Sequence, residues 1–83
     1  MDKIKKHRER IDRLDEEIMR LLDERFTLSK QIGHLKAASS HPVLDKDRET
    51  TILDRAAGHT HEDAIKEVYQ ALMNTSKKLQ KKG

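Results

Sequence analysis

Arg25 stands in a slot that a seven-residue apolar series reserves for isoleucine, with Ile4, Ile11 and Ile18 before it and Ile32 after it. A guanidinium in an apolar seam costs several kcal/mol unless it is paired. Two readings stay open at this point: a buried salt bridge or register-setting polar residue, or an arginine kept to bind an anion. Lys36 follows eleven residues later, close to three full helical turns, which sets the two cations on one line of a helix about 16 Å apart. A small anionic ligand would fit between them. Asp45, Arg48 and Glu49 are spaced i, i+3 and i+4, so they share a face at the start of a helix, and Ser76 and Gln80 share a face further on. Together these residues describe a polar pocket inside a helical bundle. Each also has a plainer role, since Arg48 and Glu49 fit an ordinary helix start, Ser76 a small core residue and Gln80 a solvated tail.

Other kinds of chemistry lack their parts. The chain has no glycine-rich phosphate loop and no nucleophile elbow. It has no cysteine, hence no disulfide framework and no thiolate metal site. His59 and His61 are two residues apart and do not share a helical face, which argues against a metal pair. A reaction in this pocket would run without metal, cofactor or covalent intermediate.

Long helices must position such residues. A second apolar series, Leu14, Leu21, Leu28 and Leu35, lies three residues after the isoleucines, and the two form a heptad pattern uninterrupted by proline or glycine before Gly33. One helix from about Lys3 to about Ala38 is expected, roughly 50 Å long and too long for one small globule to cover. Glu9 with Arg13 and Glu16 with Arg20 mark its solvated face. Ser39, Ser40, His41 and Pro42 end it. Asp45 or Asp47 caps a second helix bearing Ile52, Leu53, Ala56 and Ala57, which Gly58 terminates near Ala57. A third helix starts at Thr60, with Glu62 and Asp63 in its first turn, and carries Ile65, Val68, Leu72 and Leu79. No segment alternates with period two. The expected fold is all-α, a single domain over residues 1–83 made of a long, a short and a medium helix.

At 83 residues, with 34% hydrophobic and 40% charged, a lone core is marginal, and dimerisation would complete it. The net charge of +3 comes from the end of the chain, for without Lys77, Lys78, Lys81 and Lys82 the remainder is slightly acidic. With one Tyr and one Phe besides, a nucleic-acid partner is not expected, and the lysines suit a helix C-terminus. No apolar run reaches membrane-spanning length, and there is no apolar leader. A cytoplasmic protein without membrane contact is the expectation.

The chain resembles the all-helical chorismate mutases, the small intertwined-dimer type. The likeness rests on Arg8 in HRERIDRLDEEI, Arg25 in LLDERF, Lys36 in IGHLK, Asp45, Arg48 and Glu49 in PVLDKDRE, and Ser76 and Gln80 in NTSKKLQ. It implies a cofactor-free Claisen rearrangement of chorismate to prephenate in aromatic amino-acid biosynthesis. Arg8 of a partner chain and Arg25 would clamp the carboxylates, with Arg48 in support. Lys36 and Gln80 would bracket the ether oxygen, Glu49 and the Asp45 backbone would hold the ring hydroxyl, and Ser76 would help at a carboxylate.

Helical geometry offers an independent check on the implied dimer. Arg8 and Arg25 are seventeen residues apart, about 25 Å along one helix and about 100° around it, so they cannot grip one small ligand together. If two first helices cross antiparallel near Arg20, residue 8 of one lies beside residue 32 of the other, between Arg25 and Lys36. A homodimer with Arg8 contributed in trans is expected, and a separate enzyme could dock on its exposed face. The alternatives are an isochorismate pyruvate lyase of the same fold and a non-catalytic helical dimerisation module.

Overall fold

The computed structural model describes residues 2–39 and 45–82. It is all-helical, with no strand among the described residues: α1 is Asp2–Ser39, α2 is Lys46–Asp54 and α3 is Glu62–Lys82. The expected long first helix is present, and the turn expected at Ser40, His41 and Pro42 lies outside the described residues. α1 packs along α3, and α2 lies against α3. The chain measures 55 × 24 × 14 Å, the outline of one long helix with a shorter layer against part of it.

Asp45 is the N-cap of α2; its φ of −131° and ψ of 93° are extended, and its carboxylate accepts from the Arg48 N–H at 3.0 Å. This satisfies one of the four backbone donors that a helix start leaves unpaired. α2 is shorter than expected. From Arg55 to Ala57 each N–H bonds three residues back, at 3.1 Å, and Gly58 then adopts φ +88°, so the helix tightens and reverses instead of running on to Ala57. α3 begins at Glu62, with the His61 carbonyl accepting from the Ile65 N–H at 3.0 Å, which puts His61 and not Thr60 at the cap position. Arg20 reaches Glu17 at 3.5 Å, one residue off the expected Glu16 partner.

The packed faces also depart from the heptads. On α3 the stripe turned inward is Tyr69, Met73, Ser76 and Gln80, alongside Ile65 and Leu72, whereas Val68 is 61% exposed. On α1 it is Leu22, Arg25, Phe26, Ser29, Gly33 and Lys36. Beside that stripe Leu28, Ile32 and Leu35 lie roughly a quarter to a third of a turn around the helix, and the apolar series stays exposed along it, at 51% for Ile18, which precedes the packed part, and 68% for Leu35. Ala56 and Met73 are the buried apolar residues, and no described side chain is fully enclosed. Among the described residues one copy of the chain has almost no core of its own.

Candidate active site

Where α1, α2 and α3 meet, a cleft of about 400 Å³ opens. Arg25 and Lys36 line it from α1, Asp45, Arg48 and Glu49 from the start of α2, and Ser76 and Gln80 from α3. Seven of the eight residues singled out in the sequence therefore converge on one space. Arg8 does not; it sits in the exposed N-terminal part of α1 beside Ile4, Lys5, Glu9 and Asp12.

Arg25 is half-buried, and its Nη1 donates to Ser76 Oγ at 2.8 Å while its guanidinium carbon lies 5.9 Å from the centre of the Tyr69 ring. Both partners are neutral. Among the described residues no carboxylate pairs with Arg25, whose partners there are the Ser76 hydroxyl and the Tyr69 ring. Ser76 is buried, at 6% exposure, so it is at once a small core residue and the group that aims Arg25. Lys36 is half-buried and faces the same cleft.

Gln80 is half-buried, not a solvated tail residue, and its Oε1 is enclosed without a hydrogen-bond partner among the described residues. A buried acceptor left unsatisfied costs about 1 to 3 kcal/mol, so Oε1 calls for a donor such as a water, which leaves the amide N–H groups to act as donors. The cause of this placement is Gly33. A Cβ at that position would lie 2.6 Å from Gln80 Cα, closer than the two backbones permit, so only glycine lets α3 approach α1 here. The signal was present in the sequence, because glycine within a helix costs about 1 kcal/mol against alanine and its presence at Gly33 asks for a reason. Ser29, buried one turn before Gly33, and Lys77 line the cleft as well. Lys77 Nζ lies 3.1 Å from Glu49 Oε2, so it pairs across helices and does not serve the helix terminus as expected.

A space lined by Arg25, Lys36, Arg48 and Lys77 against Asp45 and Glu49 suits a small polyanion that also carries a hydroxyl. Residues 7–81 match the family model for chorismate mutase type II. The chain belongs to the chorismate mutase type II family. It is similar to a chorismate mutase of Methanocaldococcus jannaschii, 31% identical over 86 residues that cover 98% of this chain and 87% of that protein. It is also similar to the bifunctional chorismate mutase/prephenate dehydratase of Aquifex aeolicus, 33% identical over 90 residues, and to that of Escherichia coli, 36% identical over 74 residues. The chain spans 25% of the length of the first bifunctional protein and 19% of the second, while 99% and 83% of the chain itself is covered. No solved structure gives a significant match. No described helix is long and apolar enough to cross a membrane, and no described group of His, Cys, Asp and Glu has the arrangement of a metal site.

Proposed function

We propose that this chain is a chorismate mutase, working in the cytoplasm as a homodimer on the route to the aromatic amino acids. The observation that carries the reading is the convergence of Arg25, Lys36, Asp45, Arg48, Glu49, Ser76 and Gln80 on one cleft in a chain that belongs to this family. Chorismate rearranges unimolecularly: an ether bond breaks as a carbon–carbon bond forms, and no proton need move. The task of the site is to hold the compact, chair-like conformer and to stabilise negative charge growing on the ether oxygen. Arg25, held by Ser76, takes one carboxylate, with Arg48 in support. Lys36 and the Gln80 amide donate to the ether oxygen, and because an amide needs no protonation to donate, Gln80 serves over a wide pH range. Glu49 accepts from the ring hydroxyl. The Asp45 Oδ1 and carbonyl accept from the N–H groups of Arg48 and Glu49, which fixes the Asp45 backbone at the cleft, where it would hold the ring hydroxyl together with Glu49.

The second carboxylate is assigned to Arg8 of the other protomer. Two features support this. Arg8 is about 25 Å from Arg25 along its own helix, and Leu28 and Ile32, which line the cleft, also belong to the exposed apolar series. A partner helix lying on that series would therefore roof the cleft. An exposed apolar surface of this extent is otherwise a liability for a soluble chain. Incubating the purified chain with chorismate and, separately, with isochorismate tests the reading. Prephenate from chorismate is expected; pyruvate release from isochorismate alone would identify a lyase instead.

A further inference from the structure

We propose that Lys77 is a positioning residue of this cleft, fixing the Glu49 carboxylate toward the ring hydroxyl of the bound dicarboxylate. The inference rests on the chorismate reading of the site. Among the described ion pairs Lys77–Glu49 is the one that joins two helices, since Arg20–Glu17 lies within α1 and Lys66–Glu62 within α3. Both side chains are only about a quarter exposed, at 29% and 25%, so the pair is less screened than one at the surface.

Two consequences follow from the geometry. Glu49 has three rotatable side-chain bonds and stands on a nine-residue helix with no buried residue of its own, so little on α2 fixes where its carboxylate points. Lys77 engages Oε2 from the more firmly packed α3 and leaves Oε1 to accept a hydroxyl. The second consequence is electrostatic. An anionic side chain beside a dicarboxylate repels it, and Lys77 offsets that charge in place, so Arg25, Lys36 and Arg48 act on the ligand without opposition from Glu49.

Steady-state kinetics of wild type, Lys77→Met and Lys77→Arg, with chorismate and with a chorismate analogue lacking the ring hydroxyl, measured as substrate or competitive inhibitor, test the assignment. Thermal melts and sedimentation accompany each variant, and Lys77→Gln replaces Lys77→Met if the latter does not fold. Lys77→Met should raise KM for chorismate about tenfold with a smaller change in kcat, the size expected for one charge-assisted contact. Lys77→Arg should restore it to within about threefold of wild type. With the dehydroxy analogue the loss should shrink to about twofold, and in a Glu49→Gln background Lys77→Met should add almost nothing. Equal losses on both ligands, an unchanged or lower KM in Lys77→Met, or failure of Lys77→Arg to restore would overturn the assignment while leaving wild-type turnover intact. A wild-type chain that does not turn over chorismate would overturn both the assignment and the reading on which it rests.

Discussion

From Asp2 to Leu21 every residue of α1 is exposed, isoleucines and leucines included, whereas from Leu22 onward the same helix turns a stripe of residues onto α3. The apolar repeat runs through both halves, changed in the second where Arg25 takes an isoleucine slot. What differs is the adjacent stripe, which in the second half holds Arg25, Ser29, Gly33 and Lys36. Small or hydrogen-bonding side chains there let α3 come close, and the contact between Gly33 and Gln80 is the tightest expression of it. A heptad thus states that a helix will be covered and leaves open by which chain. The residues beside the heptad decide what the chain does with itself.

The sharpest way to break this contrast is to charge the exposed series. Leu14→Glu places a carboxylate where the proposed dimer buries a leucine, and by symmetry the cost of several kcal/mol is incurred more than once. Sedimentation at micromolar concentration should show twice the chain mass for wild type and a loss of that species, with much of the helicity, for the variant. An unchanged dimer would mean that the series is not the interface.

Next in size are Arg8→Ala and Arg25→Ala, each expected to lower kcat/KM by about 3 to 5 kcal/mol of transition-state stabilisation, because each leaves a carboxylate unpaired. Mixed and allowed to exchange, the two inactive proteins should recover roughly a quarter of wild-type activity, since about half the dimers are hybrids with one intact site of two. No recovery despite demonstrated exchange would place Arg8 outside the other protomer's site. Gly33→Ala should follow: its Cβ cannot be accommodated without moving α3, which predicts a stability loss of about 1 to 3 kcal/mol in denaturant melts and a larger proportional loss of activity. Ser76→Ala removes one hydrogen bond to a charged group, and a fall in kcat/KM of about 1.5 to 3 kcal/mol is expected with the fold intact.

The smallest effect belongs to Glu62 and Lys66, a half-exposed i,i+4 pair within one helix at 2.9 Å. The Lys66 ammonium, through its hydrogen bond and charge, holds the Glu62 carboxyl below the usual carboxylate range, and Glu62 in turn holds Lys66 above the usual lysine value. A depressed carboxyl contributes stability that is present above its unfolded pKa and lost as pH falls through the folded one; a raised ammonium contributes below its unfolded pKa and loses it as pH rises through the folded one. The pair should therefore count only between the acidic and strongly alkaline limits. Glu62→Gln should leave activity unchanged and alter the melting temperature barely measurably at neutral pH.

The number and order of helices were legible because periodicity and capping are local: the polar and apolar pattern of α1 and an acidic cap at Asp45 or Asp47 needed no tertiary information, while the end of α2 and the start of α3 shifted by a few residues. That Arg25, Lys36, Asp45, Arg48, Glu49, Ser76 and Gln80 share one cleft was legible in their spacing and in the family resemblance. What escaped depended on distance between helices. Lys77 looked like one of four tail lysines until its distance to Glu49 was known, and Gly33 looked like a mere interruption until α3 was seen against it. Val68, grouped by sequence with Ile65, Leu72 and Leu79, is exposed, because the packed face of α3 follows the 3.6-residue period that carries Tyr69 and Met73 inward beside Ile65 and Leu72.

Among the described residues one chain buries Ala56 and Met73 and encloses no side chain completely; if the proposed dimer completes that core, its activity depends on abundance. Where the folded state of a protein needs a second copy, the law of mass action ties its apparent stability to total concentration, and each tenfold dilution removes about 1.4 kcal/mol. For the proposed dimer, specific activity per chain would fall on dilution, and the amount of protein a cell makes would set both how much catalyst is present and what fraction of it is competent.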